Sequence, residues 1–284
     1  MRAEHQVSLE NYTTIRIGGM AESVFYPSSI EDITQLYESG KLNHMIGGGS
    51  NLLINDSITF ESAVCLKELD TSIQQYDDGE FYIGSSVRLQ KAIQTINEKG
   101  YGGIEYLYTV PGLIGGAIVM NAGRGKKYGN TISDYIIWVD VFDKGEVKRI
   151  RKEDCEFSHR KSVFQKMENC VVVGALFRFE KNTVEEFAER RKNRLQLCKE
   201  MQDNSEPNFG SVFCECNTRI MLFVRKLSRL HSGDGCRYSS KTTNWLLRGK
   251  NGNYQQAMNC IKRVVKLHKL LHKPWRVEAV IWEK

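Results

Sequence analysis

The chain has 284 residues, 41% of them hydrophobic and 26% charged, with four prolines and a formal net charge of +6. That length supports a sizeable core and two or three subdomains. The composition excludes extended disorder, and no apolar run approaches the roughly 18–20 residues of a membrane helix. The charge is uneven. Residues 181–284 hold 21 Lys and Arg against 10 Asp and Glu (+11), and residues 1–180 hold 19 against 24 (−5). A basic half suits a phosphate-bearing partner, either a nucleotide-linked metabolite or a nucleic acid. The basic helix or exposed aromatic strands that usually mark nucleic-acid binding are not evident.

The opening run MRAEHQVSLENYTT lacks the apolar core of an export signal, so a cytoplasmic location is expected and the eight cysteines read as reduced thiols. Residues 13–29 read as strand, turn, strand, and Ser29 caps a helix over IEDITQLYES. HMIGGGSNLLIND (44–56) reads as a short strand, a glycine turn and a second strand. A hairpin over 73–84 turns at Asp78-Gly79. Apolar spacing of three and four predicts a helix over 87–100, closed by glycine. VPGLIGGAIVMNAGRG (110–125) follows, a loop with five glycines and no charge before Arg124. Two strands joined at 143–145 fill 132–150, and 171–180 is strongly β-prone. Residues 183–202 form a charged helix, and 203–208 a linker. Helices over 219–230 and 253–273 and a strand over 277–283 complete the chain. Strands and helices mix without regular alternation, which predicts an α+β fold.

Bare backbone admits a bulky phosphorylated ligand and offers it N–H donors. Neither glycine turn matches the dinucleotide or P-loop fingerprints, so residues alone leave one extended phosphate-bearing ligand as one reading and tight packing as the other. Cys214, Cys216 and Cys236 match no zinc spacing, and no metal is expected. His268 and His272 stand four apart among Lys266, Lys269 and Lys273, and read as a solvated face. Trp245, Trp275 and Trp282 read as core.

TTIRIGGMA (13–21), IGGGSNLLIND (46–56), VPGLIGGAIVMNAG (110–123), HRKSVF (159–164) and NFGSVF (208–213) follow, in order, the motifs of the UDP-N-acetylenolpyruvoylglucosamine reductases, which the chain resembles over nearly its whole length. The resemblance, closest to the shorter class of these enzymes, implies the FAD-binding α+β fold of vanillyl-alcohol-oxidase type. It implies cofactor subdomains over 1–66 and 67–202 and a substrate domain over 203–284. It implies FAD as cofactor and NADPH as reductant, and a reaction in which hydride reaches the enolpyruvyl double bond of a UDP-sugar. Gly47, Gly48, Gly49, Ser50 and Asn51 would line the cofactor phosphates. Pro111, Gly112, Gly115, Gly116, Asn121 and Gly123 would wrap its other side. By the same resemblance Arg160 would hold the substrate carboxylate, Ser211 would protonate the enolate carbon, and Glu278 would hydrogen-bond the carboxylate. On local sequence alone Arg160 also reads as a surface ion-pair partner, Ser211 as a turn serine and Glu278 as an outward strand residue. His159 stands where the family often has tyrosine.

The substrate half departs from the pattern. Cys214-Glu215-Cys216-Asn217 replaces Lys-Asn-Pro, RGKKYGNT (124–131) replaces a shorter turn, and KTTNWLLRGKNG (241–252) replaces a histidine-alanine segment. A paralogue acting on another sugar nucleotide or enol ether therefore stays open, as does a flavin-free phosphate-ligand or nucleic-acid binder. The preferred reading is a monomeric enzyme on a small nucleotide-sugar, without nucleic acid or membrane as partner.

Overall fold

A computed structural model describes residues 1–123, 129–231 and 233–283. Five residues of the basic loop expected at 124–131, those at 124–128, lie outside the described residues. The chain forms two compact units: Met1–Glu4, Val24–Gly48 and Ser62–Cys198 make the first, and His5–Ser23, Gly49–Glu61 and Lys199–Lys284 the second.

The first unit is built on a five-stranded antiparallel sheet in the order Glu146–Arg151, Ile136–Asp143, Val171–Arg178, Glu80–Gly84, Ile73–Asp77. The central strand reads VVVGALFR because both its faces are covered. Val172, Ala175 and Phe177 point into one core with Val139, Val141, Ile93 and Ile96. Val171 packs with Phe142, Ile33 and Leu36 in another. Helix α1 (Ile30–Glu38) starts as predicted, with the Ser29 hydroxyl accepting from the Asp32 N–H. Helix α2 (Leu89–Glu98) ends at Gly100, whose φ of +81° supplies the left-handed stop. The glycine-rich segment is not all loop: Ile114–Val119 forms a short helix, α3, which buries Ile114, Ala117 and Ile118. Helix α4 (Val184–Met201) follows the sheet. Its Arg191 bonds Asn97, which in turn donates to the buried Glu105 at 2.8 Å.

In the second unit, helices α5 (Thr218–His231) and α6 (Tyr254–Leu270) pack on a three-stranded sheet in the order Asn208–Ser211, Trp245–Arg248, Cys236–Tyr238. Ile15, Ile17 and Leu53, from the two early segments, lie in the same core as Val212, Leu246, Ile261 and Val264. Four expectations change. Residues 13–19 form no strand; the strands of this region are Arg2–Ser8 and Met20–Tyr26. The last strand is broken into Arg276–Val277 and Val280–Trp282. His268 is not on a solvated face but fully buried, while His272 is exposed. Trp245, Trp275 and Trp282 are each half-buried rather than core.

His268 bridges two elements. Its Nδ1 donates to the Val264 carbonyl at 2.8 Å, so Nε2 is the acceptor for the Asn217 N–H at 2.8 Å. Asn217 in turn caps α5 through its side-chain oxygen, which accepts from the Arg219 and Ile220 N–H groups. We expect His268→Leu to orphan the Asn217 N–H and lower unfolding free energy by about 1–3 kcal/mol. A urea titration that leaves the midpoint unmoved would remove this role.

All eight cysteines are free. Burial pushes Cys236 up to about 12 and Cys260 up to about 11, so neither is a thiolate at neutral pH. Among the described residues no group of three His, Cys, Asp or Glu could hold a metal, and no helix is long and apolar enough to cross a membrane.

Candidate active site

Arg160 sits at the tip of a tight turn closed by Ser158 and Lys161, which exchange backbone bonds of 3.1 and 3.0 Å. Its φ of +56° is in the left-handed region, a conformation that costs a non-glycine residue on the order of 1–3 kcal/mol and collects at functional sites. The turn is fastened to the end of α3. The last carbonyls of a helix need partners, and Val119 O receives the Ser162 hydroxyl at 2.7 Å and the Gln165 amide at 3.0 Å. Asn121 donates to Ser158 O at 2.9 Å. The Arg160 guanidinium donates to Gly123 O at 2.8 Å and to Asn121 O at 3.5 Å. The motifs at 119–123 and 158–165 are thus one structure. They line a cavity of about 290 Å³ with His159, Thr131 and Asp134 on its wall. Tyr106, not singled out from sequence, has a buried hydroxyl with no hydrogen-bond partner among the described residues. Burial, with Tyr135 and Asp134 adding to it, holds that phenol well above its ordinary value.

Some glycines of the two turns answer to protein packing and others do not. A Cβ on Gly48 would stand 2.8 Å from Gly112 Cα, so these two turns touch backbone to backbone. A Cβ on Gly115 would meet the Ser85 Cβ at 2.9 Å, and the Gly115 N–H is already bonded to Ser85 O at 2.9 Å. In the second unit Gly49 has a φ of +66°, and a Cβ there would overlap Tyr12 O at 1.8 Å. A Cβ on Gly116, exposed on α3, would meet nothing within 4 Å among the described residues, and one on Gly47 would meet there only Leu113 Cδ1, at 4.0 Å. The buried hydroxyls of Ser85, beside Gly115, and of Thr14, whose N–H bonds Gly49 O, have no partner among the described residues.

Ser211 and Glu278 are brought together in the second unit. Ser211 ends a strand and follows Gly210, which takes a φ of +79°. Glu278 lies in the gap of the broken last strand, where the chain changes partners. Arg276–Val277 runs antiparallel to Phe213–Glu215, and Val280–Trp282 runs parallel to Leu52–Ile54. In the gap the Glu278 and Ala279 N–H groups both point to Val212 O, at 2.8 and 3.4 Å. Asn51 holds the other side: its side-chain amide donates to Glu278 O at 3.0 Å and its carbonyl accepts from the Val280 N–H at 2.9 Å. One of its amide hydrogens is therefore committed to the protein, and its neighbour Ser50 is half-buried. Asn244, unremarked in the sequence, bonds both backbone groups of Phe213.

Within the first unit the residues present fit a bulky phosphorylated cofactor: the Ser85 hydroxyl, unpartnered among the described residues, lies beside Gly115, and Gly47 and Gly116 have open faces where packing demands no glycine. A glycine inside a helix costs about 1 kcal/mol relative to a good helix former, which Gly116 does not recover from protein contacts. Gly116→Leu is expected to keep or raise the Tm of the cofactor-free chain yet purify with little bound flavin. Gly115→Ala is expected to lower that Tm through overpacking of about 1–3 kcal/mol. Flavin absorbance per chain and thermal melts of the stripped protein read both; a fully loaded Gly116→Leu protein would take that face away from the cofactor.

Comparison with known proteins gives the family and the fold. A family model described as FAD binding domain matches residues 21–151. A UDP-N-acetylenolpyruvoylglucosamine reductase from Prochlorococcus marinus is 31% identical over 217 residues, 74% of this chain and 72% of that protein. The protein of the same name from Bacillus subtilis is 30% identical over 72% of this chain and 68% of its own. The crystal structure of the reductase from Thermus caldophilus superposes with a TM-score of 0.79 over 99% of both chains at 24% identity, which establishes a shared fold. The α+β architecture expected from sequence is the observed one, and its cofactor half is an FAD-binding domain. At the identity and span of the first two relatives, the chain belongs to the UDP-N-acetylenolpyruvoylglucosamine reductase family.

Proposed function

We propose that this chain reduces the enolpyruvyl group of UDP-N-acetylglucosamine enolpyruvate to the lactyl ether of UDP-N-acetylmuramate, with FAD as cofactor and NADPH as reductant. The observation that carries the reading is the frame in which the Glu278 N–H is bonded to the carbonyl of Val212, the residue that follows Ser211, in a chain of this family. When bound and reduced by NADPH, FAD would supply the hydride that the terminal carbon of the double bond accepts. The chain's own groups manage the charge and the proton. Arg160, a planar cation with two donor arms, holds the substrate carboxylate on which negative charge builds. The Ser211 hydroxyl gives its proton to the carbon beside that carboxylate, a strong enough base to take it from a weak acid. Glu278, in its protonated form, donates to the carboxylate. Gly47, Gly48, Gly49, Ser50 and Asn51 line the cofactor phosphates, and Pro111, Gly112, Gly115, Gly116, Asn121 and Gly123 its other side. The functional division runs 1–66 and 67–202 for the cofactor and 203–284 for the substrate. We place the enzyme in the cytoplasm, where the nucleotide-sugar would be met.

The test is anaerobic. The purified protein is bleached with NADPH, UDP-N-acetylglucosamine enolpyruvate is added, and flavin absorption is followed. Rapid return of the colour is the expected result. A flavin that stays bleached rejects this substrate while keeping the scaffold.

A further inference from the structure

We propose that Asn244 is a positioning residue for the reaction. It locks the strand end that carries Ser211 against the chain gap that carries Glu278, so that the two side chains keep one relative placement. The inference rests on the roles given to Ser211 and Glu278 above and adds a residue to them.

Asn244 makes three bonds to two consecutive residues. Its Oδ1 accepts from the Phe213 N–H at 3.1 Å, its Nδ2 donates to Phe213 O at 2.7 Å, and its main-chain carbonyl accepts from the Val212 N–H at 2.9 Å. A side-chain amide that pairs with both backbone groups of one residue replaces a missing strand partner. One is missing here: pairing between Asn208–Ser211 and Trp245–Arg248 is irregular, with a register shift between Asn208 and Ser211. Val212 is fully buried and Phe213 nearly so, so water does not substitute for the amide. With the Val212 N–H committed to Asn244, the Val212 carbonyl faces the opposite way and collects the Glu278 and Ala279 N–H groups. Asn244, Val212 and Glu278 are therefore linked in sequence by backbone bonds, with no flexible side chain between Ser211's peptide and Glu278's.

A residue that only stabilises a turn would lower the melting temperature and leave turnover alone. A positioning residue lowers kcat with little change in KM, because misplacing a reacting group by about 1 Å costs up to about a hundredfold in rate. Asn244→Ala removes both side-chain bonds. Asn244→Asp keeps the shape, loses the donor and sets a carboxylate oxygen against Phe213 O, which serves if the alanine variant does not fold. Leu246→Ala, from a fully buried leucine two residues on, is the packing control.

In flavin-loaded enzyme we expect NADPH-driven bleaching within about twofold of wild type for all three variants. The substrate-driven return of colour should slow by about ten- to a hundredfold in both Asn244 variants, with KM within a few-fold, and not in Leu246→Ala. Wild-type reoxidation in the Asn244 variants, or an equal loss in Leu246→Ala, overturns the proposal. Amide hydrogen exchange supplies a readout free of substrate: Asn244→Asp should accelerate exchange at Phe213 and also at Glu278. Acceleration at Phe213 alone overturns the coupling. If wild-type enzyme fails to reduce the enolpyruvyl compound, the proposed function fails, and the exchange result still decides whether Asn244 couples the two residues.

Discussion

Ser211→Ala leaves NADPH-driven bleaching of the flavin intact and slows the substrate-driven return of colour by about 10²–10⁴-fold, the range that a positioned acid contributes. The asymmetry follows from where the residue sits. Ser211 lies at a strand end, and the main chain of its neighbours Val212 and Phe213 is held by Asn244, Glu278 and Ala279. Removing one hydroxyl leaves that frame standing, so the variant should melt with the wild type. Stopped-flow absorption with each half-reaction run separately is the measurement. An equal loss in both halves would mean a general perturbation, and Ser211 would no longer be the proton donor.

Arg160→Lys is expected to keep the positive charge and still lose about 10²–10³-fold in single-turnover reoxidation at saturating substrate, the scale of a removed oxyanion donor. The cation itself is not the scarce property; its shape is. Arg160 already spends one arm on Gly123 O and reaches towards Asn121 O. A guanidinium can do this and still present further N–H groups to a carboxylate, whereas an ammonium is a point charge on a longer leash. The stability cost should stay near the roughly 0.5–1.5 kcal/mol of an ordinary lost bond. A lysine variant as fast as wild type would show that charge alone suffices and that the turn's left-handed backbone serves something else.

The cofactor half was legible in the sequence because its message is carried by short ordered runs. The glycine turns at 46–56 and 110–123 keep the order and spacing of the family's motifs, and hairpin and capping signals such as Asp78-Gly79 and Ser29 are local. What escaped was set by partners distant in the chain. Helix α3 hid inside the glycine run because glycine weakens helix propensity, and only burial of Ile114, Ala117 and Ile118 reveals it. The break at Glu278 left no trace in VEAVIW, since it records a change of neighbouring strand and not a change of propensity. Asn244 in KTTNW looks like any polar turn residue. His268 could have been found. Ala257, Ile261, Val264 and His268 follow one another at spacings of four, three and four and are all buried, so the histidine continues the core stripe, and the lysines beside it belong to the other face.

The second unit is assembled from three stretches of chain, His5–Ser23, Gly49–Glu61 and Lys199–Lys284. During synthesis from the N-terminus, Ile15, Ile17 and Leu53 emerge long before the helices and strands that will cover them, and the strand at Leu52–Ile54 waits for a parallel partner supplied by Val280–Trp282. Its folding therefore has a high contact order, with chain-closure entropy to overcome before those pairings form. The segment from Arg276 to Trp282, which frames Glu278, follows every other element of this unit. Until that segment pairs, Ile15, Ile17 and Leu53 present bare apolar side chains to chaperones and proteases, so the frame around Glu278 and the cover of this core are completed together.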